Sequence, residues 1–165
     1  MSSVRAVSRL LLLSALLAVA LPTSAFELQR LNAERVDLGD FVGNGRWTLV
    51  QLWTTDCIPC ERQKPMLEAF HRDHVDSDAR VVGIALDGPA AIEEIERVVA
   101  RHAPSYTTLV AFDDVFARQF AELTGRDFRA TPTYLLFRPD GAYAGVHTGP
   151  IERERVEAIL AAERG

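Results

Sequence analysis

The amino-acid sequence predicts an α/β protein with a central mixed β-sheet, in which a parallel core carries helices on both faces and an antiparallel hairpin lies near the C-terminus. Two observations lead to this fold class. Apolar, β-rich runs alternate with helical patterns from residue 47 to residue 125, and strands joined through helices run parallel. The segment 131–149 instead holds two strand-like runs around the turn residues 138–141, which is typical of a hairpin.

The chain before the first long strand is the least regular part. Residues 26–45 mix single apolar positions with turn-forming residues, so we expect a lead-in with a short strand or loop. The apolar run 47–53 then predicts a strand. A helix is predicted over 58–75, with Pro59 in the first turn, where proline is tolerated, and with Pro65 inside it, where proline should kink it.

The rest of the chain continues the alternation of strands and helices. The next helical segment has glutamates early and basic residues late, as the helix dipole favours, and Gly125 closes the helix after it. The predicted elements are, by type, strands over 80–87 and 106–112, two strands within 131–149, and helices over 90–102, 113–125 and 150–163.

The first 25 residues have the three parts of a secretory signal. Two arginines precede the apolar run 10–21, and small residues precede Phe26. That run is shorter than the roughly 20 residues that span a bilayer, so we expect cleavage before Phe26 and no stable membrane insertion afterwards. A retained membrane anchor is the alternative. The predicted domains are therefore the signal over 1–25 and one domain over 26–165, located in the periplasm.

The charge of the chain excludes some classes of partner. The net charge of −5 becomes −7 without the predicted signal, which contains two arginines and no acidic residue. An acidic chain without a basic cluster argues against binding to nucleic acid or to anionic membranes.

The two cysteines, Cys57 and Cys60, form a Cys-x-x-Cys motif directly after the first long strand. A bridge over two residues closes a short loop and is a poor structural staple. The start of a helix favours the thiolate of Cys57, whereas Cys60 lies one turn further in. We therefore predict a redox-active disulfide with Cys57 as nucleophile and Cys60 as resolving cysteine, without another cofactor or a bound metal.

Several motifs around this pair resemble one protein family. Trp53 precedes Cys57 by four residues, Pro65 follows Cys60 by five, and the segment "ATPTYLLFRPDG" comes later in the chain. Together they resemble the thioredoxin superfamily, in particular the TlpA/ResA-like exported thiol-disulfide oxidoreductases, over residues 35–163. The resemblance implies a thioredoxin-like fold and a cis peptide bond at Thr131-Pro132, which would leave the Thr131 backbone free to pair with an extended client chain.

The resemblance also implies a function. It suggests a periplasmic disulfide reductase whose partners are exported proteins with cysteines, such as apocytochrome c or proteins with copper-site cysteines. A membrane dithiol donor would have to reduce it again, because its compartment is oxidising. The residues expected to shape the site and bind substrate are Trp53, Asp56, Ile58, Pro59, Thr131 and Pro132.

The sequence departs from the family near the cysteines. Asp56 stands where relatives commonly have an aromatic residue, and its charge should oppose the Cys57 thiolate and keep the protein reducing. Gln63 and Gln51 stand where relatives carry carboxylates, so no obvious proton acceptor for Cys60 remains. Glu61 is a possible substitute, although a glutamate in the first turn of a helix is typically a solvated dipole partner.

Two other functions are compatible with parts of the sequence. The cysteines and a histidine could hold copper, as in Sco-like metallochaperones, although those use a wider cysteine spacing. His71 and His74 lie three residues apart and could pair on a metal, but surface histidines of a helix are more often solvated. A thiol peroxidase is the second alternative, because Thr54-x-x-Cys57 matches part of the peroxiredoxin pattern.

Overall fold

A computed structural model describes residues 26–162, so the predicted secretory signal and its cleavage site lie outside the described residues. Two short 3₁₀ turns, Leu38–Phe41 and Pro89–Ala91, accompany the regular elements. The strands are β1 (Glu27–Arg30), β2 (Arg35–Asp37), β3 (Trp47–Trp53), β4 (Ala79–Ala85), β5 (Thr107–Ala111), β6 (Thr133–Phe137) and β7 (Tyr143–Thr148). The helices are α1 (Ile58–His74), α2 (Ile92–His102), α3 (Asp113–Thr124) and α4 (Arg153–Ala162).

The seven strands form one mixed sheet in the order β2-β1-β5-β4-β3-β6-β7. Strands β3, β4 and β5 run parallel, and β6 and β7 form the antiparallel hairpin at one edge. The predicted mixed sheet with a parallel core is thereby confirmed. The lead-in differs from the expectation of one short strand or loop: it forms two strands, and β1 extends the sheet by pairing antiparallel with β5.

Successive side chains of β3 point to opposite faces of the sheet, and all of them are buried. Val50 and Leu52 join the core cluster that includes α3, whereas Leu49 packs with residues of α1 and α4. Trp53, on the same face as Leu49, packs with residues of α2 and with both cysteines. The strand predicted over 47–53 is therefore correct, it is buried along its whole length, and helices cover both faces as expected.

Helix α1 runs from Ile58 to His74 across Pro65 without an interruption of the helical assignment. Proline has no N–H, so the carbonyl of Glu61 receives no hydrogen bond from position 65. None of the helices within residues 26–162 is long and apolar enough to cross a membrane.

Candidate active site

The two cysteines lie where β3 ends and α1 begins, and they form a disulfide with Cα atoms 5.2 Å apart. Cys57 is the N-cap of α1, and its Sγ accepts a hydrogen bond from the backbone N–H of Cys60 at 3.2 Å. A sulfur at this position receives the unpaired N–H groups and the positive end of the helix dipole. The geometry therefore favours negative charge on Cys57.

The two sulfurs differ in their access to solvent. Cys57 is 7% exposed and Cys60 is 0% exposed, while Ile58 between them is 64% exposed. Pro59 is exposed as well. An incoming disulfide can therefore approach Cys57 across an apolar surface, whereas Cys60 is reached only from Cys57.

The turn between β3 and α1 is anchored by one carboxylate. Asp87, which follows β4, accepts hydrogen bonds from the backbone N–H and the hydroxyl of Thr55, at 3.0 and 2.6 Å to its Oδ1. The sequence analysis did not single out Asp87. Its position at the end of a predicted strand could have indicated its role, because parallel strands end at one edge of a sheet and β4 lies beside β3.

Asp56 is exposed, and its Oδ1 accepts a hydrogen bond from the hydroxyl of Thr54 at 2.8 Å. We expect Asp56→Asn to lower the pKa of Cys57 slightly and to make the protein more oxidising, because a negative charge beside the thiolate is removed. The effect is small because water screens an exposed charge. The pH dependence of Cys57 alkylation in the reduced protein measures it.

The control for this prediction is Glu154→Gln, which removes an exposed acid in the first turn of α4. It should leave the Cys57 pKa unchanged. If the pKa of Cys57 is the same in Asp56→Asn and in the wild type, Asp56 does not influence the Cys57 sulfur.

The Thr131-Pro132 peptide bond is cis, as the resemblance implied. The pairing of Leu52 with Thr133 in the β3–β6 ladder places Pro132 beside Trp53, at the end of the sheet where α1 begins. The carbonyl of Pro132 accepts a hydrogen bond from the N–H of Gly149 at 2.8 Å. Among residues 26–162, no partner is found for the backbone N–H or carbonyl of Thr131, so these groups are available to another chain.

A neutral network occupies positions 51 and 63, where the sequence analysis found no carboxylate for Cys60. The hydroxyl of Tyr134 donates to Gln63 Oε1 at 2.9 Å and accepts from Gln51 Nε2 at 3.4 Å. The N–H of Ile151 also donates to Gln63 Oε1 at 2.9 Å. Burial raises the pKa of Tyr134, so its hydroxyl stays protonated. No member of this network ionises near neutral pH.

A buried lysine lies one turn after Cys60 on α1, and the sequence analysis missed it. Lys64 is 6% exposed, and its Nζ lies 3.7 Å from the centroid of the Trp53 ring. Burial lowers the pKa of Lys64 to about 8, and the carboxylate of Glu61 partly opposes this shift. Lysine at position 64 looks like an ordinary polar residue in the sequence, so only the tertiary packing reveals it.

Glu61 connects α1 to α2. Its Oε2 accepts a short hydrogen bond from His102 Nε2 and lies 3.8 Å from Arg101 Nη1. Its Oε1 is buried and has no hydrogen-bond partner within residues 26–162. Glu61 is therefore a half-buried bridge between two helices, rather than the solvated dipole partner that the sequence suggested.

A glycine makes room for this group of side chains. A Cβ atom at Gly83, on β4, would lie 3.3 Å from Trp53 Nε1 and 3.4 Å from Tyr106 Cε2. The hydroxyl of Tyr106 is buried, and in the described part of the chain nothing bonds to it. Burial raises the pKa of Tyr106, so this hydroxyl also stays neutral.

The histidines make protein contacts. His71 Nδ1 accepts a hydrogen bond from the Val81 N–H at 3.0 Å, and His74 Nδ1 lies 2.8 Å from Asp78 Oδ1. His147 Nε2 lies 3.1 Å from the carbonyl of Pro150. Over residues 26–162, no three His, Cys, Asp or Glu side chains are grouped as a metal site would require. The Thr54 hydroxyl, central to the peroxidase alternative, is directed to Asp56.

Comparison with known proteins places these features in a family. The profile of the AhpC/TSA family matches residues 19–143. Thiol-disulfide oxidoreductase ResA of Halalkalibacterium halodurans is 24% identical over 135 residues, covering 82% of this chain and 71% of its own. The ResA of Geobacillus kaustophilus is 25% identical over 145 residues, covering 87% and 78%.

A solved structure gives the same picture of the fold. The crystal structure of a thiol:disulfide interchange protein of the thioredoxin family from Chlorobium tepidum superposes with a TM-score of 0.68 at 17% identity. The superposition covers 86% of this chain and 94% of that one. The predicted thioredoxin-like fold is thereby confirmed.

Proposed function

Since the chain belongs to the AhpC/TSA family and presents a Cys57–Cys60 pair at the start of a helix, we propose that this thiol-disulfide oxidoreductase acts in the periplasm as a reductase of particular exported proteins. The observation that carries the proposal is the position of the Cys57 sulfur at the N-terminus of α1, with Cys57 slightly exposed and Cys60 fully buried. A disulfide that served only as a structural staple would not need a sulfur at a helix N-terminus.

The reaction begins with the dithiol form of the protein. The Cys57 thiolate attacks one sulfur of a client disulfide, and the other client sulfur leaves as a thiolate that takes up a proton. The resulting mixed disulfide joins Cys57 to the client. Cys60 then loses its proton and attacks the Cys57 sulfur, which forms the Cys57–Cys60 bond and releases the second client thiolate. The client gains two electrons and the protein loses two.

The surface around Cys57 supports an extended protein client. Ile58 offers an exposed apolar contact on one side of Cys57. The free backbone groups of Thr131 offer hydrogen bonds of the type that strands exchange. Apocytochrome c and proteins with copper-site cysteines are the clients that the family resemblance suggests, and a membrane dithiol donor would restore the reduced form.

Export rests on residues 1–25, whose charged start, apolar run and small-residue ending are those of a secretory signal. Cleavage before Phe26 would leave the domain that contains the whole candidate site. An oxidising compartment also explains the need for a dedicated electron donor.

We expect Cys60→Ser to accumulate a mixed disulfide with an oxidised peptide that carries the Cys-x-x-Cys-His haem-attachment motif. Cys57 can still attack, but serine cannot release the peptide. Non-reducing electrophoresis and mass spectrometry of the reduced variant mixed with the peptide measure the adduct. The matched control Cys57→Ser should form almost none, because the remaining sulfur is 0% exposed.

Other outcomes would overturn the proposal. Equal adduct formation by both variants would contradict the assigned roles of the cysteines. Tight, stoichiometric copper binding by the reduced wild type, without reduction of the peptide, would favour the metallochaperone. Consumption of hydrogen peroxide without reduction of any disulfide would favour the thiol peroxidase.

A further inference from the structure

We propose that Lys64 accepts the proton that Cys60 must lose before it attacks the mixed disulfide, in the place that the family gives to a carboxylate. The inference rests on the proposed function, because it concerns the second step of that reaction. It identifies a residue to which neither the family motifs nor the names of the relatives point.

Cys60 needs a proton acceptor inside the protein. Its side chain is 0% exposed, so its thiol cannot pass a proton directly to bulk water. Burial in an apolar cluster also disfavours the free thiolate. A neighbouring group must therefore both take the proton and balance the negative charge that appears on the sulfur.

The candidates other than Lys64 are unsuitable. Gln51 and Gln63 are neutral amides, and the hydroxyl of Tyr134 is kept protonated by burial. His71 lies three turns further along α1, and its Nδ1 already accepts the Val81 N–H. Glu61 directly follows Cys60 on α1, so the two side chains do not face each other, and its Oε2 is held by His102 on α2.

Lys64 is in the right place. It lies four residues after Cys60 on α1, so the two side chains share one face of the helix. Its Nζ lies over the Trp53 ring at 3.7 Å from the centroid, and Trp53 packs in the same buried cluster as both cysteines. No hydrogen bond or ion pair of the Lys64 side-chain nitrogen is found among residues 26–162. In its neutral amine form, the lone pair is therefore free to accept a proton.

The electrostatics of Lys64 suit a proton acceptor. Burial lowers its pKa to about 8, so part of the population is a neutral amine at neutral pH. The mixed disulfide carries no charge on sulfur, so the amine is in the same surroundings as in the oxidised protein. The charged and titratable groups around the Lys64 side chain and the neighbouring Tyr106 are Glu61, Glu68, Arg101 and His102.

The proton transfer balances. The S–H bond of Cys60 breaks, and the amine of Lys64 becomes an ammonium beside the new thiolate. The Cys60 thiolate attacks the Cys57 sulfur, and the client thiolate leaves. Once the Cys57–Cys60 disulfide has formed, no charged sulfur remains in the protein, and the Lys64 ammonium returns its proton to solvent. Glu61, whose free Oε1 is buried nearby and whose Oε2 contacts the half-buried His102, gives that proton a polar route outward.

A chromogenic aromatic disulfide, dithiobis-nitrobenzoate, tests the inference in single-turnover mixing with an equimolar amount of the reduced full-length protein. Attack by Cys57 releases the first nitrothiophenolate, and attack by Cys60 releases the second. We expect Lys64→Met to slow the second release about a hundredfold at neutral pH, the size of a lost general base. The first release should change much less.

The pH profile separates proton transfer from structure. In the wild type the rate of the second release should level off above a pH of about 8, the pKa of Lys64. In Lys64→Met it should continue to rise with pH, because hydroxide must remove the proton. Lys64→Arg, which keeps the charge but has no accessible neutral form, should be as slow as Lys64→Met.

Arg62→Met is the matched control, because it removes an exposed cation from the same helix. It should leave both releases unchanged. A second release of wild-type rate in Lys64→Met, or its restoration by Lys64→Arg, would overturn the role of Lys64. Failure of the proposed function is distinguishable, because the reduced wild type would then leave the oxidised Cys-x-x-Cys-His peptide unreduced while it still releases nitrothiophenolate from the aromatic disulfide.

Discussion

Replacing Lys64 with methionine is expected to stabilise the oxidised protein against unfolding by roughly 1 to 2 kcal/mol at neutral pH, the cost of burying the charge, about 3 kcal/mol, less the attraction of the ammonium to the Trp53 ring. The reason is that the fold holds a buried ammonium whose pKa is lowered from 10.5 to about 8. Each pKa unit of that shift corresponds to about 1.4 kcal/mol by which the charged lysine destabilises the folded state, because the ammonium remains hydrated in the unfolded chain. Methionine fills a similar volume without a charge to bury.

The gain should disappear as the pH rises. Below pH 8, Lys64 is charged in the folded and the unfolded chain, so the folded state bears the full cost of burying the charge. Between pH 8 and 10.5 the folded chain releases the proton while the unfolded chain keeps it, so wild-type stability rises with pH. Above pH 10.5 both states are neutral, and the two proteins should be equally stable.

Urea unfolding of the oxidised proteins at neutral pH and near pH 10.5 measures this prediction. The buried tyrosines also titrate at alkaline pH, but they are the same in both proteins, so their effect cancels in the difference. Arg62→Met should change the free energy of unfolding by less than about 0.5 kcal/mol at either pH. A destabilising Lys64→Met at neutral pH would show that the ammonium makes stabilising contacts that outweigh its burial.

Trp53→Ala should have the largest destabilising effect, a loss of about 4 kcal/mol in the free energy of unfolding. Trp53 is 1% exposed, so removing its indole leaves a large cavity in the cluster that contains both cysteines. The ring also supports the Lys64 ammonium, whose attraction to an aromatic face is worth about 1 to 2 kcal/mol when water is excluded. Chemical denaturation of the oxidised variant measures the loss.

A double-mutant cycle isolates the ammonium contact. In the Lys64→Met background, Trp53→Ala should be less destabilising by about 1 kcal/mol, because no cation remains over the ring. Trp47→Ala is the matched control, since Trp47 is 4% exposed at the opposite end of β3 and belongs to another cluster. Its cost should be the same with and without Lys64. Equal costs for Trp53→Ala in both backgrounds would contradict the contact.

Much of the fold could be predicted because its pattern is local. The run 47–53 is apolar at nearly every position, which identifies a strand buried on both faces, and Gly125 marks the end of α3 at a positive φ of 69°. Strands β1 and β2 could not be predicted as separate strands, because they have only four and three residues, and β1 also pairs with β5, some 80 residues later. Such contacts leave no periodicity in the sequence.

The residues of the candidate site likewise fall into those that the sequence could predict and those that only tertiary contacts identify. Cys57 and Cys60 were predictable because spacing and a following helix are sequence properties. Lys64 and Asp87 were not, because each acquires its role from a partner on another element: Trp53 at the end of β3 for Lys64, and Thr55 in the next turn for Asp87. Glu61 was considered, but its partner His102 lies 41 residues away. The resemblance supplied the cis bond at Pro132, which residue patterns alone would not.

The anchoring of Thr55 by Asp87 has a consequence for repeated use of the protein. The start of α1 is fixed by hydrogen bonds to a neighbouring strand end, in addition to the sulfur–sulfur bond. We expect the loop to keep its shape when that bond opens, so that the two forms differ mainly at the sulfurs. If the protein carries electrons as proposed, its donor and its client would meet the same surface around Cys57 in both forms, and we expect them to compete for it.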